Sequence, residues 1–260
     1  MTDLDASFYA VNFSDVYFEI GRYFDDLIPR QKVTKLDVSG VHGYIQLKKK
    51  FLPRDITILG LLQANTKAQL ITRIDSFKTF LYHSDPAQLI FNDKSDRYYL
   101  AEFQDKQELQ KRGQFVPMKL KFTADDPFGY AVTADDDTQS GIVVKDTTWE
   151  ITNSGHIEAW PVITITMNQD QEHLYIQNNS LSGNRFDITK SMANGKVLEI
   201  DSKDMTINYD GSYSPAGFGD GGEGSAKFIL LNTGINELQV GTDDADIDID
   251  VNVNFRKVYL

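Results

Sequence analysis

From Asp244 to Asn254 the chain alternates without a break, with Asp or Asn at every even position and Ala, Ile or Val at every odd one. A period of two describes a strand with one buried and one wet face, because successive side chains on a strand point to opposite sides. Such a strand needs a second layer to cover its apolar face. Most of the second half of the chain reads the same way. Strand candidates are Ile142–Val144, Trp149–Thr152, Val162–Met167, Leu174–Gln177, Arg185–Ile188, Lys196–Ile200, Met205–Asn208, Lys227–Leu231, Glu237–Val240 and Ile247–Phe255. Turns at Asn153–Gly155, Asn178–Ser180, Asn194-Gly195, Asp210-Gly211 and Thr233-Gly234 separate them at sandwich-like spacing. The expectation is a β-sandwich.

The first half differs. Leu70, Ile71, Ile74, Phe77, Phe80 and Leu81 recur at spacings of three and four, predicting one helix over Gln69–His83 that Asn65 or Thr66 caps and that stops before Pro86. Around it lie strand signals at Val16–Ile20, Lys32–Val38, Tyr44–Leu47, Asp55–Leu59, Gln88–Phe91, Tyr98–Phe103 and Val116–Phe122. Residues 87–103 read as a hairpin about the turn Asn92–Asp96. The fold class expected is mostly β with one helix: an N-terminal α+β domain followed by a β-sandwich.

Charge divides the chain at the same place. Residues 1–130 carry 18 Lys/Arg against 17 Asp/Glu, whereas residues 131–260 carry 8 against 21. That step, with the polar run Asp135–Gly141, sets domains at 1–138 and 139–249. The tail Phe255–Leu260 is basic and apolar again, so residues 250–260 are expected to return to the first domain. The acidic half repels phosphates, which argues against nucleic acid. Lys48-Lys49-Lys50, the one dense basic cluster, reads as a solvated turn or interface element.

Few motifs carry chemistry. The chain has no cysteine, which excludes disulfides, thiolate metal sites and cysteine nucleophiles. Gly217-Phe-Gly-Asp-Gly-Gly222 satisfies the glycine pattern of a dinucleotide loop, but no βαβ unit surrounds it. A mobile sandwich loop is the reading there. The Asp244–Asn254 ladder lacks the turning Gly and bidentate Glu of a calcium loop. His42, His83, His156 and His173 show no metal-ligand spacing, and acidic pairs in so acidic a chain arise by chance. No catalytic, cofactor-binding or metal residues are assigned, and neither an enzyme nor a cofactor is expected. The N-terminus has neither the basic region nor the apolar run of a signal peptide, and no stretch has the length of a membrane helix. Sequons at Asn12 and Asn178 therefore carry no weight.

Taken in order, several segments resemble the distal tail proteins of long-tailed bacteriophages, the sipho-tail family. They are Gly40–Gly43, Arg54–Gly60, the helix, Asp96–Ala101 and Phe122 with Asp126–Phe128 in the first half. In the second half they are Asn153–Gly155, Ala159–Pro161 with Val162–Thr166, Gly195–Asp201 and Phe228–Asn236. The resemblance implies an N-terminal domain that forms a hexameric ring and a galectin-like sandwich projecting from it. It further implies a structural virion protein at the phage tail tip, assembled in the host bacterial cytoplasm. Its ring would join the tail tube protein to the tail-tip protein, with receptor-binding proteins attached outside. The segment Gln31–Asp55, two strand runs about Ser39–Gly43, is expected to be the ring-forming arm.

The alternative function is a carbohydrate-binding β-sandwich, suggested by 12 Tyr and 2 Trp; a hydrolase acting through an acidic pair is the other. Trp149 and Trp160 have no galectin-type set of His, Asn and Arg beside them in the sequence and are read as core or sheet-packing residues.

Overall fold

The computed structural model describes residues 4–26, 28–37, 42–108, 113–214, 227–242 and 246–260. They form two compact units, residues 1–132 with Leu260 and residues 133–259.

In the first unit the strands are β1 (Ala6–Phe8), β2 (Val11–Asn12), β3 (Phe18–Phe24), β4 (Gln31–Asp37), β5 (Tyr44–Phe51), β6 (Arg54–Gln63), β7 (Ala87–Phe91), β8 (Arg97–Glu108), β9 (Phe115–Ala124) and β10 (Gly129–Ala131). One sheet runs in the order β2-β1-β7-β8-β9-β6-β3, with β10 on β8. Among the described residues β4 and β5 pair only with each other. The helix α1 (Lys67–Leu81) begins two residues earlier than the apolar spacing suggests, because the Thr66 hydroxyl accepts from the Gln69 amide at 3.2 Å and caps it there. It buries Leu70, Phe77, Phe80 and Leu81; Ile71, counted with the apolar stripe, is exposed.

Aromatic rings fill this core. Phe18 stacks on Phe77 with centroids 4.9 Å apart, and Phe13 meets Phe80 edge-on at 5.0 Å. Gly60 is what lets Phe18 lie across β6: a Cβ there would sit 2.3 Å from the Phe18 ring and 2.5 Å from the Glu19 carbonyl.

The second unit is a sandwich of two sheets. Its strands are β11 (Asp135–Ile142), β12 (Thr147–Asn153), β13 (Val162–Met167), β14 (Leu174–Asn178), β15 (Asn184–Ile188), β16 (Val197–Asp201), β17 (Thr206–Tyr209), β18 (Ser212–Tyr213), β19 (Gly234–Gly241), β20 (Ile249–Phe255) and β21 (Val258–Tyr259). A six-stranded sheet, β11-β20-β13-β16-β17-β18, faces a four-stranded one, β12-β19-β14-β15, and apolar residues from both make one core. β20 has the alternation read from the sequence: Ile249, Val251, Val253 and Phe255 are buried. Its polar side chains find partners, Asn252 donating to Asp136 and Thr138 at 2.8 Å each and the Gly141 amide donating to Asp250 at 2.6 Å.

Three expectations need correction. The boundary lies at Val132/Thr133 rather than 138/139, because Asp135–Ile142 is no linker but the strand paired along β20. Of residues 250–260, Asp250–Phe255 belong to β20, held between β11 and β13 inside the sandwich, and Leu260 groups with the first unit. Finally, Lys227–Leu231 is not a strand, and its one ladder contact is the bridge of Leu231 to Ala159. Backbone bonds from Lys227 to Arg185 and between Leu231 and Ala159 hold its ends, and side chains take up most of the rest. Asn184 donates to the Phe228 carbonyl and accepts from the Leu230 amide, Asn178 donates to the Leu230 carbonyl, Asn153 donates to the Leu231 carbonyl, and Asn236 does both for Asn232. All four of these asparagines are buried.

Candidate assembly site

No sequence motif for catalysis gathers into a site. The glycine motif Gly217–Gly222 and residues Asp243–Ala245 lie outside the described residues. Among the described residues no three His, Asp or Glu side chains come together to hold a metal ion. The histidines sit apart in role. His83 stacks on Tyr9 at 4.2 Å, His156 meets Tyr259 edge-on, His173 lies 3.8 Å from Asp187, and His42 is exposed at the arm. Trp149 packs against the sandwich core, whereas Trp160 is 40% exposed, contrary to its reading as a packing residue. Among the described residues no helix is long and apolar enough to cross a membrane.

The feature that stands out is the ribbon β4–β5. Every residue of Gln31–Asp37 and Tyr44–Lys50 is exposed, including Val33, Leu36, Tyr44, Ile45 and Leu47; Tyr44 and Leu47 reach 68% and 58%. Leu36 pairs directly with Ile45 toward the tip, so the apolar groups gather there. Toward the base Lys48, Lys49 and Lys50 stand opposite Thr34, Val33 and Lys32. Two lysines facing each other across a ladder repel, which costs stability unless an acidic partner lies nearby. From Gln31 to Phe51 there are five lysines against a single acid, Asp37.

The neck of the ribbon is built differently. Where β3 ends, Asp25 is 5% exposed, and its carboxylate accepts from Arg54 at 2.6 Å, Tyr99 at 3.2 Å and Lys94 at 3.4 Å. Arg54, the first residue of β6, is 1% exposed, stands 5.1 Å over the Tyr99 ring and donates through Nε to the Pro127 carbonyl and through Nη1 to that of Asp26. Burial pushes the Tyr99 phenol up to about 12, with the Asp25 charge adding to the rise and Arg54 opposing it, so it stays a donor. Nearby, burial and then the Asp93 hydrogen bond raise the Tyr23 phenol as well.

On the outer side Arg30 donates to Asp55 at 2.8 Å, and the Leu52 amide donates to the Arg30 carbonyl at 2.7 Å. Burial works to raise the Asp55 carboxyl, but Lys121 and the bonds from Arg30 and Thr123 outweigh it and hold it below the usual range. Phe51 meets Phe128 edge-on at 5.2 Å. Sequence reading found the ribbon but missed the neck, because an Arg and an Asp at the two ends of one strand–turn–strand segment carry no periodic signal.

Known proteins resemble this chain in family pattern and fold. Residues 11–124 match the family described as the phage tail protein RIFT-related domain, and residues 154–259 match the siphovirus-type tail component, C-terminal domain. Among solved structures, the crystal structure of phage SPP1 Dit, described as a paradigm of the hub adsorption apparatus in phages infecting Gram-positive bacteria, superposes with a TM-score of 0.79 at 15% identity over 99% of each chain. The phage P2 baseplate in its activated conformation with Ca gives 0.47 at 7% identity over 96% of this chain and 97% of that one. No curated protein sequence matches. The two family matches fall in order on the two units and leave little of the chain outside them: the chain belongs to the siphovirus-type tail component family, the distal tail proteins of long-tailed bacteriophages.

Proposed function

We propose that six copies close into a ring through the β4–β5 ribbon, each subunit offering its arm to one neighbour and receiving another. In the virion this ring would join the tail tube protein to the tail-tip protein, with receptor-binding proteins outside it, after assembly in the host cytoplasm. The protein is structural and has no catalytic role in this reading. The observation that carries it is the uncovered ribbon, with Leu36, Ile45 and Leu47 exposed on strands that, among the described residues, pair only with each other. A two-stranded ribbon buries too little apolar surface to be stable alone, and its open edges invite another chain. β3 ends the main sheet and offers such an edge in return. A contact of this head-to-tail kind closes when its rotation divides a full turn.

Replacing Thr34–Leu47 by a short Gly/Ser linker is expected to leave a folded monomer by light scattering and to abolish rings in negative-stain micrographs. A variant that still forms the full ring would overturn the reading.

A further inference from the structure

The neck holds a charge pair where apolar residues would serve stability as well. Taking Arg54 and Asp25 out of water costs about as much as their attraction returns. The pair is also imperfect, because Nη2 of Arg54 is buried without a hydrogen-bond partner among the described residues. Well-packed hydrophobic replacements for such pairs are often neutral or stabilising, so what the charges add is direction. A guanidinium and a carboxylate accept few relative orientations, whereas Leu against Met accepts many.

Here the orientation fixed is that of the chain where it leaves for the arm and where it comes back. Arg54 holds the exit at Asp25 and Asp26, carries the start of β6 itself, and reaches Pro127 beside the ring that packs on Phe51.

We propose that Arg54 and Asp25 are a positioning pair that sets the direction in which Gln31–Phe51 leaves the first unit, presenting it ready-aimed to a second copy of this chain. The purpose rests on the assembly reading above; the geometry does not. An arm aimed before contact gives up less orientational freedom on docking, which is the benefit of preorganisation.

Because the chain has no cysteine, spin labels can be placed at Lys48→Cys on the arm and Lys119→Cys on β9 without background. Labelled protein is diluted into an excess of unlabelled chain, so that only distances within one subunit are read. The native neck is expected to give one narrow distance peak. In the Asp25→Leu/Arg54→Met double variant the first unit's unfolding midpoint is expected to hold or rise. The peak is expected to broaden into several, and ring formation to be lost. Asp25→Asn, which keeps the shape and removes the charge, is expected to broaden the peak as well.

A narrow peak in both variants would overturn the proposal. So would loss of the folded first unit in both, since the pair would then act through stability. If the linker variant of the arm assembles while the distance result stands, the assembly reading falls and the positioning of the arm does not.

Discussion

Two extended segments of this molecule lie outside the main ladders, and they are resolved in opposite ways. Lys227–Asn232, in the second unit, has most of its bonded backbone groups taken by four buried asparagine side chains. The β4–β5 ribbon of the first unit pairs with itself and leaves its outer edges and most of its apolar side chains in solvent. An extended segment has one obligatory demand, partners for its N–H and C=O groups. Where side chains of the same unit meet that demand, the segment becomes a seal on the core. Where none do, it stays an open edge.

The comparison can be broken most severely at the asparagines. Asn178→Ala removes the donor to the Leu230 carbonyl and to Asn236 and the acceptor of the Ser180 amide. Each buried polar group left unpaired costs about 1–3 kcal/mol, so a loss of about 3 kcal/mol is expected in the sandwich transition by chemical denaturation. Asn184→Ala strands the Phe228 carbonyl and the Leu230 amide and should cost about 2 kcal/mol in the same measurement. A loss under about 0.5 kcal/mol, the scale of a bland surface change, would mean that the asparagines are not what holds the segment.

Acid sharpens the contrast. The clamp on Lys227–Asn232 is made of amides that do not titrate in the ordinary range, while the neck of the arm includes Asp55, whose carboxyl is held below its usual value. A group with a depressed folded pKa contributes stability that is complete above its unfolded pKa, about 3.9 for Asp, and is lost as pH falls through the folded value. Below pH 4 the first unit should therefore weaken more steeply than it does in Asp55→Asn, with the two converging at the lowest pH. Equal slopes in denaturant titrations would remove Asp55 from the account.

The smallest expected effect is on the arm itself. Leu47→Ser should change the subunit's unfolding free energy by no more than about 0.5 kcal/mol, because the side chain is exposed, while reducing assembly in a sedimentation experiment. Unimpaired assembly would show that Leu47 is not part of the contact.

Much of the architecture was legible where one face of an element is buried. Val162–Met167 lies on the residues its pattern named, and Ile247–Phe255 loses only its first two, because alternation against a core leaves little choice of register. The pattern failed where polar groups do structural work. Asp135–Asp137 reads as linker, yet these residues pair with Phe255, Asn254 and Val253. Phe228–Leu231 reads as a strand because side-chain pattern says nothing about which group takes the backbone hydrogen bonds. The sign lay elsewhere in the sequence: Asn153, Asn178, Asn184 and Asn236 occupy buried positions of strands whose other buried positions are mostly apolar. Of the assembly site, the ribbon could be read from two short strand runs about a glycine-containing turn. Its latch could not, since an Arg and an Asp 29 residues apart carry no periodicity.

One feature of the ribbon bears on how far assembly can go. Its register shifts between Thr34 and Lys35, where Lys48 and Gln46 are the successive partners and Leu47 is the extra residue. A straight strand can recruit another along its whole length, and that one a third, which is how fibrils grow. A strand broken in this way, here β5, offers a newcomer only Lys48–Phe51 on one side of the break and Tyr44–Gln46 on the other, twisted relative to each other. Contacts that short hold only when reinforced from elsewhere, as the fixed geometry of a closed set of neighbours provides. In the proposed ring the bulge would thus confine a sticky edge to finite company, so that joining stops once the circle is complete.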